Sequence, residues 1–397
     1  MRLLRSVLLI AHRWAGLTIL LVLLVTGLTG AILPYKREIG HWIAADVWQV
    51  APPHPGTRTL SGPELARRVE AQTGGVVSYI ALNLDADRAQ SVFVSPRPDG
   101  PVLPYEQVFA DPYSGEIRAK VRYADLRDGP VNLMPFLVNF HYSLAAGAWG
   151  QWALGVAALI WALECLVGLL LSLPRRGAGG LGGAIRRWLP AWTIRRDQGG
   201  TVLTHDLHRA AGLWLWPVML VFAWSAMAFN LSSVHSPVQR AFGAQGLYTP
   251  VVNPAPAQGE ALSTDAAVAI GARLMAAEAG RRGFTVRGPE ALSLNPYARL
   301  IGYYARTSLD GPTDNGSTIL WFDQVSGRPV AFRSPFGTTA ADAVDKTTRM
   351  LHTASFFGWP FKVFVSLFGL TTAAMAVAGF LLWVRRGGRR RNKAAAA

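Results

Sequence analysis

Four stretches of the chain, residues 7–33, 149–173, 210–231 and 359–384, are apolar over a length that crosses a bilayer, about 20 residues. The last three are fringed by Trp149 and Trp152, Trp214 and Trp216, and Trp359 and Trp383, as an interfacial aromatic belt is. The two long segments between spans carry a different pattern. Each opens with a short amphipathic helix signal: Pro63-Glu64-Leu65-Ala66-Arg67-Arg68-Val69 in one, with Pro at its start, and Ser263-Thr264-Asp265-Ala266-Ala267-Val268-Ala269 in the other, with Ser or Thr as N-cap. Farther on, Asp111-Pro112-Tyr113-Ser114-Gly115 and Asp323-Gln324-Val325-Ser326-Gly327 each stand between apolar runs. An Asp, two variable residues and Ser-Gly in that setting predict a β-hairpin turn.

The order span, external helix and sheet, span therefore occurs twice, and four of the eight histidines keep step with it. His12, in Ala11-His12-Arg13-Trp14-Ala15-Gly16-Leu17, opens the first span, and His208, in Leu207-His208-Arg209-Ala210-Ala211-Gly212-Leu213, opens the third. His141 and His352 stand just before the second and fourth, 30 residues after Asp111 and 29 after Asp323. The spans end alike, in Leu173-Pro174-Arg175-Arg176 and Trp383-Val384-Arg385-Arg386. The fold class expected is an α-helical membrane protein, a four-transmembrane-helix bundle with two external α+β modules, internally duplicated. Its parts are transmembrane helix 1 over 1–34, a first module over 35–140, helix 2 over 141–174 and a basic loop over 175–205. Helix 3 follows over 206–231, a second module over 232–350, helix 4 over 351–385 and a basic tail over 386–397.

Composition agrees with a membrane protein: 51% of the 397 residues are hydrophobic. The net charge of +15 raises the question of nucleic acid, and its placement answers it. Arg2, Arg5 and Arg13, then Arg175, Arg176, Arg186, Arg187, Arg195, Arg196 and Arg209, then Arg385, Arg386, Arg389, Arg390, Arg391 and Lys393 face only Asp197 and Asp206. By contrast 35–140 holds 11 basic and 12 acidic residues, and 232–358 holds 11 and 9. This is the positive-inside pattern, with both termini cytoplasmic and both modules outside, and it excludes nucleic acid as the reason for the charge. The first apolar stretch is too long for a signal-peptide core and has no small-residue cleavage site after it, so a retained anchor is expected. Cys165, inside the second span, is the sole cysteine, so no disulfide ties the modules and no Cys-x-x-Cys-His attaches a haem covalently.

Two histidines on one side of a helix bundle are what a low-spin b-type haem needs. Topology pairs them: His12 with His208 at the inner side, His141 with His352 at the outer side, giving two non-covalent, bis-histidine b-type haems. Gly16 and Gly212 follow their histidines by one helical turn, where a missing side chain lets a flat macrocycle approach. Arg13 and Arg209 are placed either to neutralise haem propionates or to snorkel to lipid phosphates. His205 is a spare ligand or, more simply, a solvated residue; His41, His54 and His235 have no repeat partner and no assigned role. Zinc is a poor alternative, since no carboxylate or cysteine accompanies the pairs at metal spacing. Glu164, the one acidic residue well inside a span, is either a proton relay or quinol contact, or a neutral carboxylic acid bonded within the bundle. Tyr113, Tyr303, Tyr304, Trp321 and Arg306 read first as sheet-packing residues and only second as surface contacts.

The His-Arg-x-x-Gly-Leu openings, the Asp-x-x-Ser-Gly hairpins and the histidines before spans resemble the PepSY-associated transmembrane family, over nearly the whole chain. That family includes iron-regulated inner-membrane proteins and di-haem ferric-siderophore reductases. The resemblance implies a bacterial inner-membrane protein with periplasmic PepSY modules, embedded in the lipid bilayer, that passes electrons from the inner haem to the outer one and on to a periplasmic ferric siderophore. No Gly-rich dinucleotide fingerprint or phosphate loop is present, so a quinol or a cytoplasmic flavoprotein is the expected electron donor. The alternative is a membrane-anchored PepSY binding or regulatory protein without redox activity, in which the histidines are structural. A permease is a weaker third, because four unbroken spans offer little pathway.

Overall fold

A computed structural model describes residues 2–97, 100–174, 180–248, 250–295, 297–311 and 318–395. Arg175 and Arg176, counted above among the cytoplasmic charges, lie outside the described residues, as do the side chains of Arg2 and of everything beyond Arg386. In chain order the helices are α1 (Arg2–Ile32), α2 (Lys36–Ile43), α3 (Ala45–Trp48), α4 (Gly62–Thr73), α5 (Leu133–Ser143), α6 (Gly147–Ser172), α7 (Gly180–Trp188), α8 (Gly200–Trp214), α9 (Trp216–Asn230), α10 (Ser232–Ala241), α11 (Thr264–Arg282), α12 (Ala340–His352) and α13 (Gly358–Ala395). The strands are β1 (Val76–Ala81), β2 (Gln90–Ser95), β3 (Gln107–Ala110), β4 (Ile117–Val121), β5 (Val286–Asn295), β6 (Leu300–Thr307), β7 (Thr318–Asp323) and β8 (Pro329–Arg333). Two compact units result: Met1–Pro34, Val138–Val238 and Thr348–Ala397 form one, and Tyr35–Leu137 with Gln239–Thr347 the other.

The first unit is helical. The helices α1, α6 and α13 are long and apolar enough to cross a membrane, and α8 with α9 is a fourth candidate bent by 71°. The single third span expected over 210–231 is therefore broken, at Leu215. The cause is Pro217 in the first turn of α9: it has no N–H to continue the ladder, and its ring would collide with the carbonyl four residues back. The Trp216 indole donates to the Cys165 carbonyl at 2.8 Å and so ties the break to α6. Close approach of α1 and α13 depends on glycine: a Cβ on Gly27 would meet the Gly369 carbonyl at 2.7 Å, and one on Gly369 the Gly27 carbonyl at 2.6 Å. Nearby, the Ser366 hydroxyl donates to the Ala31 carbonyl at 2.7 Å. Arg5 caps the end of α6, donating to the carbonyls of Leu171 at 2.6 Å and Leu173 at 3.0 Å.

The second unit is an antiparallel sheet with α4 and α11 on one face and the short α3 against Phe109 on the other. Each half is a helix followed by a four-stranded meander, α4 with β1 to β4 and α11 with β5 to β8. The helix starts follow their caps: Ser61 and Glu64 form a capping box on α4, and the Ser263 side chain accepts from the Ala266 N–H on α11. Both hairpins turn as the sequence predicts. Asp111 accepts the N–H groups of Tyr113 and Ser114, Asp323 those of Val325 and Ser326, and Gly115 and Gly327 adopt φ of +72° and +69°.

Instead of two separate modules, however, there is one eight-stranded sheet of order β4-β3-β2-β1-β5-β6-β7-β8. Tyr79, Ile80 and Ala81 of β1 pair with Ser293, Leu292 and Ala291 of β5. Alone, each meander would expose the backbone N–H and C=O groups of an edge strand, and pairing β1 with β5 removes both edges. The core follows the same continuity, running from Leu65, Val69, Ile80 and Val92 through Met275 and Leu292 to Ile301, Leu320 and Phe322. Tyr303 belongs to this core, 3% exposed, with Gly271 leaving room for its ring. Arg306 is engaged with Glu290 at 2.9 Å.

Asp323 is fully buried and is the polar keystone of the second hairpin. Burial alone would raise its pKa, yet the N–H groups of Ser326 and Ala257, the Asn253 amide and the Ser326 hydroxyl together hold it well below the usual carboxylate range. A depressed folded-state pKa contributes stability that is complete above the unfolded value, about 3.9, and is lost as pH falls toward the folded one. The unfolding temperature of the protein in detergent should therefore drop as pH is lowered from 5 through about 3, and part of that slope should vanish in Asp323→Ala. The variant should also be less stable at neutral pH by about 1–3 kcal/mol, because it strands five donors, the N–H groups of Ala257, Val325 and Ser326, the Asn253 amide and the Ser326 hydroxyl. A variant as stable as the parent at both pH values would refute the assignment.

Candidate functional site

The four repeated histidines reach the helical unit from two kinds of element. His12 and His208 lie within α1 and α8, whereas His141 is on the last turn of α5 and His352 ends α12. Past these two the chain reverses tightly, through left-handed Leu144, Ala145 and Gly147 (φ +53°, +53° and +58°) and through Ala354, Phe357 and Gly358 (φ +52°, +60° and +63°). Gly147 and Gly358, each six residues past its histidine, are thus the residues whose left-handed backbone starts α6 and α13. The Asn230 amide donates to the Tyr142 carbonyl at 3.0 Å and the Arg349 guanidinium to the Ala228 carbonyl at 2.9 Å, fixing both turns against α9.

The histidines meet in the pairs that topology assigns. The ring centroids of His12 and His208 are 6.4 Å apart at an interplanar angle of 66°, and those of His141 and His352 are 6.3 Å apart at 70°. A metal–imidazole bond is about 2 Å and a ring nitrogen sits about 1 Å from its centroid, so two imidazoles sharing one ion have centroids about 6 Å apart. Both pairs match that span. Along α1, His12 and Thr29 are 17 residues apart, about 25 Å of helix, so the pairs are well separated.

Each ring is anchored through Nδ1. Thr29 Oγ1 lies 2.8 Å from His141 Nδ1 and donates its own proton to the Val25 carbonyl at 2.8 Å, which makes it the acceptor of the imidazole N–H. Ser225 Oγ repeats this, 2.8 Å from His352 Nδ1 while donating to the Val221 carbonyl at 2.8 Å. His208 Nδ1 donates to the Met375 carbonyl at 3.0 Å. His12 Nδ1 is in contact with a Glu164 carboxylate oxygen, and both atoms are buried without another hydrogen-bond partner and without hydrogen-bond geometry to each other. Where Nδ1 carries the proton, as the Met375 carbonyl requires of His208 and the committed hydroxyls of Thr29 and Ser225 favour for His141 and His352, Nε2 is the nitrogen left with a lone pair for a metal. Among the described residues no group of three His, Cys, Asp or Glu gathers in the way a protein-only metal site needs, so the sites are pairs.

Small residues make room around the rings. A Cβ on Gly168 would lie 3.7 Å from His12 Cε1, one on Gly379 3.4 Å from His208 Cε1, and one on Gly30 3.1 Å from His141 Cε1. A Cβ on Gly16 meets nothing within 4 Å, so the helix face one turn past His12 is open; at Gly212 the Met375 methyl stands at 3.4 Å. Phe222 stacks on His352 at 4.8 Å and Phe229 meets its ring edge at 5.4 Å.

The arginines divide. Arg13 stands half-buried beside His12. Arg209 donates to the carbonyls of Ala191, Pro190 and Thr193 at 3.0, 3.0 and 3.1 Å and pairs with the fully buried Asp206 at 3.1 Å. Its guanidinium holds the segment before α8 rather than standing free for a propionate. Arg195 binds the same carboxylate at 2.8 and 2.9 Å. His205 is half-exposed and only 3.4 Å from Asp206 Oδ1, which leaves it outside the pairs.

Thr29, Ser225, Met375, Gly168 and Gly379 escaped the sequence reading, although a signal was present. Thr29 and Ser225 each follow an inner histidine by 17 residues; Glu164 and Met375 follow an outer one by 23, and Gly168 and Gly379 by 27. Comparing the two halves by offset from the histidines recovers all of them.

A sequence model of the family described as PepSY-associated TM region matches residues 9–386. No curated protein matches the chain.

The turn carrying His141 depends on one close approach, since a Cβ on Gly150 would strike the Ser143 carbonyl. Gly150→Ala is expected to destabilise the protein by about 1–3 kcal/mol through overpacking, seen as a lower unfolding temperature in detergent. Gly182→Ala, where a Cβ meets nothing within 4 Å, should leave it unchanged. Equal behaviour of the two variants would rule out the close approach.

Proposed function

Since the chain belongs to the PepSY-associated transmembrane family, we propose that it is an internally duplicated, four-span oxidoreductase of the bacterial inner membrane that carries electrons across the bilayer on two b-type haems. In this reading both termini are cytoplasmic, the sheet unit is periplasmic, and the acceptor is a periplasmic ferric siderophore. What supports it above all is the site: two histidine pairs at metal-bridging separation, every ring with Nδ1 against a partner.

A haem iron held by two imidazoles gains and loses single electrons while keeping both ligands. The chain's own residues do the rest. His12 with His208 and His141 with His352 would hold the two irons, their rings oriented by Glu164, the Met375 carbonyl, Thr29 and Ser225. Gly16, Gly168 and Gly379 clear the approach of a flat ring, and Arg13 is the cation closest in sequence to an inner propionate. Met219, Phe222, Val365 and Phe368 form a packed apolar cluster that excludes water between helices. An electron delivered to a ferric siderophore releases its iron, because hard oxygen ligands hold Fe(II) far more weakly than Fe(III). A quinol or a cytoplasmic flavoprotein supplies that electron. The bend at Leu215 does not favour a permease: Trp216 closes it against Cys165.

The test is the reduced-minus-oxidised spectrum and pyridine haemochrome count of the protein purified in detergent after expression with ample haem. Two b haems per chain are expected. His12→Ala and His208→Ala should each lose one and the same haem, and His141→Ala and His352→Ala the other. A haem-free protein of native stability would exclude the redox function and leave a membrane-anchored binding or regulatory protein. If two haems are present, the purified dithionite-reduced protein should be reoxidised by ferric siderophores; haems that stay reduced would exclude that acceptor.

A further inference from the structure

The two histidine pairs are alike in geometry and unlike in what their Nδ1 atoms meet. Inner His12 faces a carboxylate, and inner His208 a backbone carbonyl. Outer His141 and His352 each meet a hydroxyl whose proton is already given to a helix carbonyl, and His352 also lies against the Phe222 carbonyl, so neither outer ring meets a carboxylate. At the offset where one half has Glu164, the other has Met375, so the carboxylate is a feature of one site only.

Resting on the haem reading above, we propose that this difference orders the two redox potentials. The His12–His208 site is the lower, the His141–His352 site the higher, and Glu164 is the positioning residue that makes the gap. A carboxylate is an acceptor-only, charged partner, and hydrogen bonds to such groups are roughly twice as strong as neutral ones. Pulling on the Nδ1 proton gives the imidazole imidazolate character and a more basic Nε2, which stabilises the oxidised, more highly charged iron. The hydroxyls of Thr29 and Ser225 pull less. Surroundings act in the same direction: Phe222 and Phe229 press an apolar shell on His352, where extra charge is disfavoured. Electrons then run downhill from the inner site to the outer one. Each transfer oxidises the first by one electron and reduces the second by one, and the quinol or flavoprotein donor restores the first.

Potentiometric titration of the full chain in detergent, followed in the haem absorption bands, tests this. Two one-electron waves are expected, and His141→Ala should retain the lower. Glu164→Gln keeps an acceptor and removes the charge, so it should raise the lower wave by about 59 mV, the one-electron equivalent of a tenfold change, and leave the upper one in place. Ser225→Ala should move the upper wave alone. The proposal is overturned if Glu164→Gln moves neither wave or moves the upper one, or if His141→Ala retains the higher. Should Glu164→Gln fail to accumulate, the His141→Ala assignment still decides the order. Failure of the underlying haem reading is seen separately, as absence of haem before any titration.

Discussion

A polar side chain inside a bilayer must find its hydrogen-bond partner within the protein, because no water is there to supply one. In this chain four imidazoles of the helical unit each place Nδ1 against a partner. The partners come from other helices: α1 supplies Thr29 to α5, α9 supplies Ser225 to α12, α13 supplies the Met375 carbonyl to α8, and α6 supplies Glu164 to α1. Satisfying the rings therefore also ties the helices together. What results is two ring pairs whose centroid spacing matches a shared metal ion.

Much of the remaining helical architecture serves to bring those partners into register. Gly27 and Gly369 allow α1 and α13 to touch backbone to backbone, which fixes the level at which their side chains face one another. The left-handed turns at Leu144–Gly147 and Ala354–Gly358 join the helices carrying His141 and His352 to the spans that follow. Pro217 breaks the third span at Leu215, and the Trp216 indole secures the break. Arg209 and Arg195 converge on the buried Asp206, a carboxylate that would otherwise be left without counter-charge, and so fix the start of α8.

The sheet unit obeys the same rule in another solvent. An antiparallel meander of four strands leaves two edges, and two such meanders leave four; pairing β1 with β5 reduces the number to two. The consequence is one continuous core beneath α4 and α11, with a smaller cluster around Phe109, Val121 and Val131 on the opposite face of the sheet. The ion pair between Arg67 and Asp265 also links these two helices, but both side chains are more than half exposed, so it adds little to what apolar burial supplies.

The sequence by itself determined the elements whose cause is local. The spans, the capping of α4 and α11, the Asp-x-x-Ser-Gly turns and the pairing of His12 with His208 and His141 with His352 follow from periodicity, hydropathy, cap chemistry and matched order. The break at Leu215 was also local, since Pro217 was there to be read, and it was overlooked because continuous hydropathy masks a backbone defect. Tertiary structure alone decided the rest. That β1 pairs with β5 depends on two edges more than 200 residues apart finding each other, which no pattern within either half encodes. That Arg209 serves Asp206 and three carbonyls rather than standing free, and that Glu164 faces His12, depend on which helix faces meet. Side-chain identity states what a residue can donate or accept; only the packing of the helices states to whom.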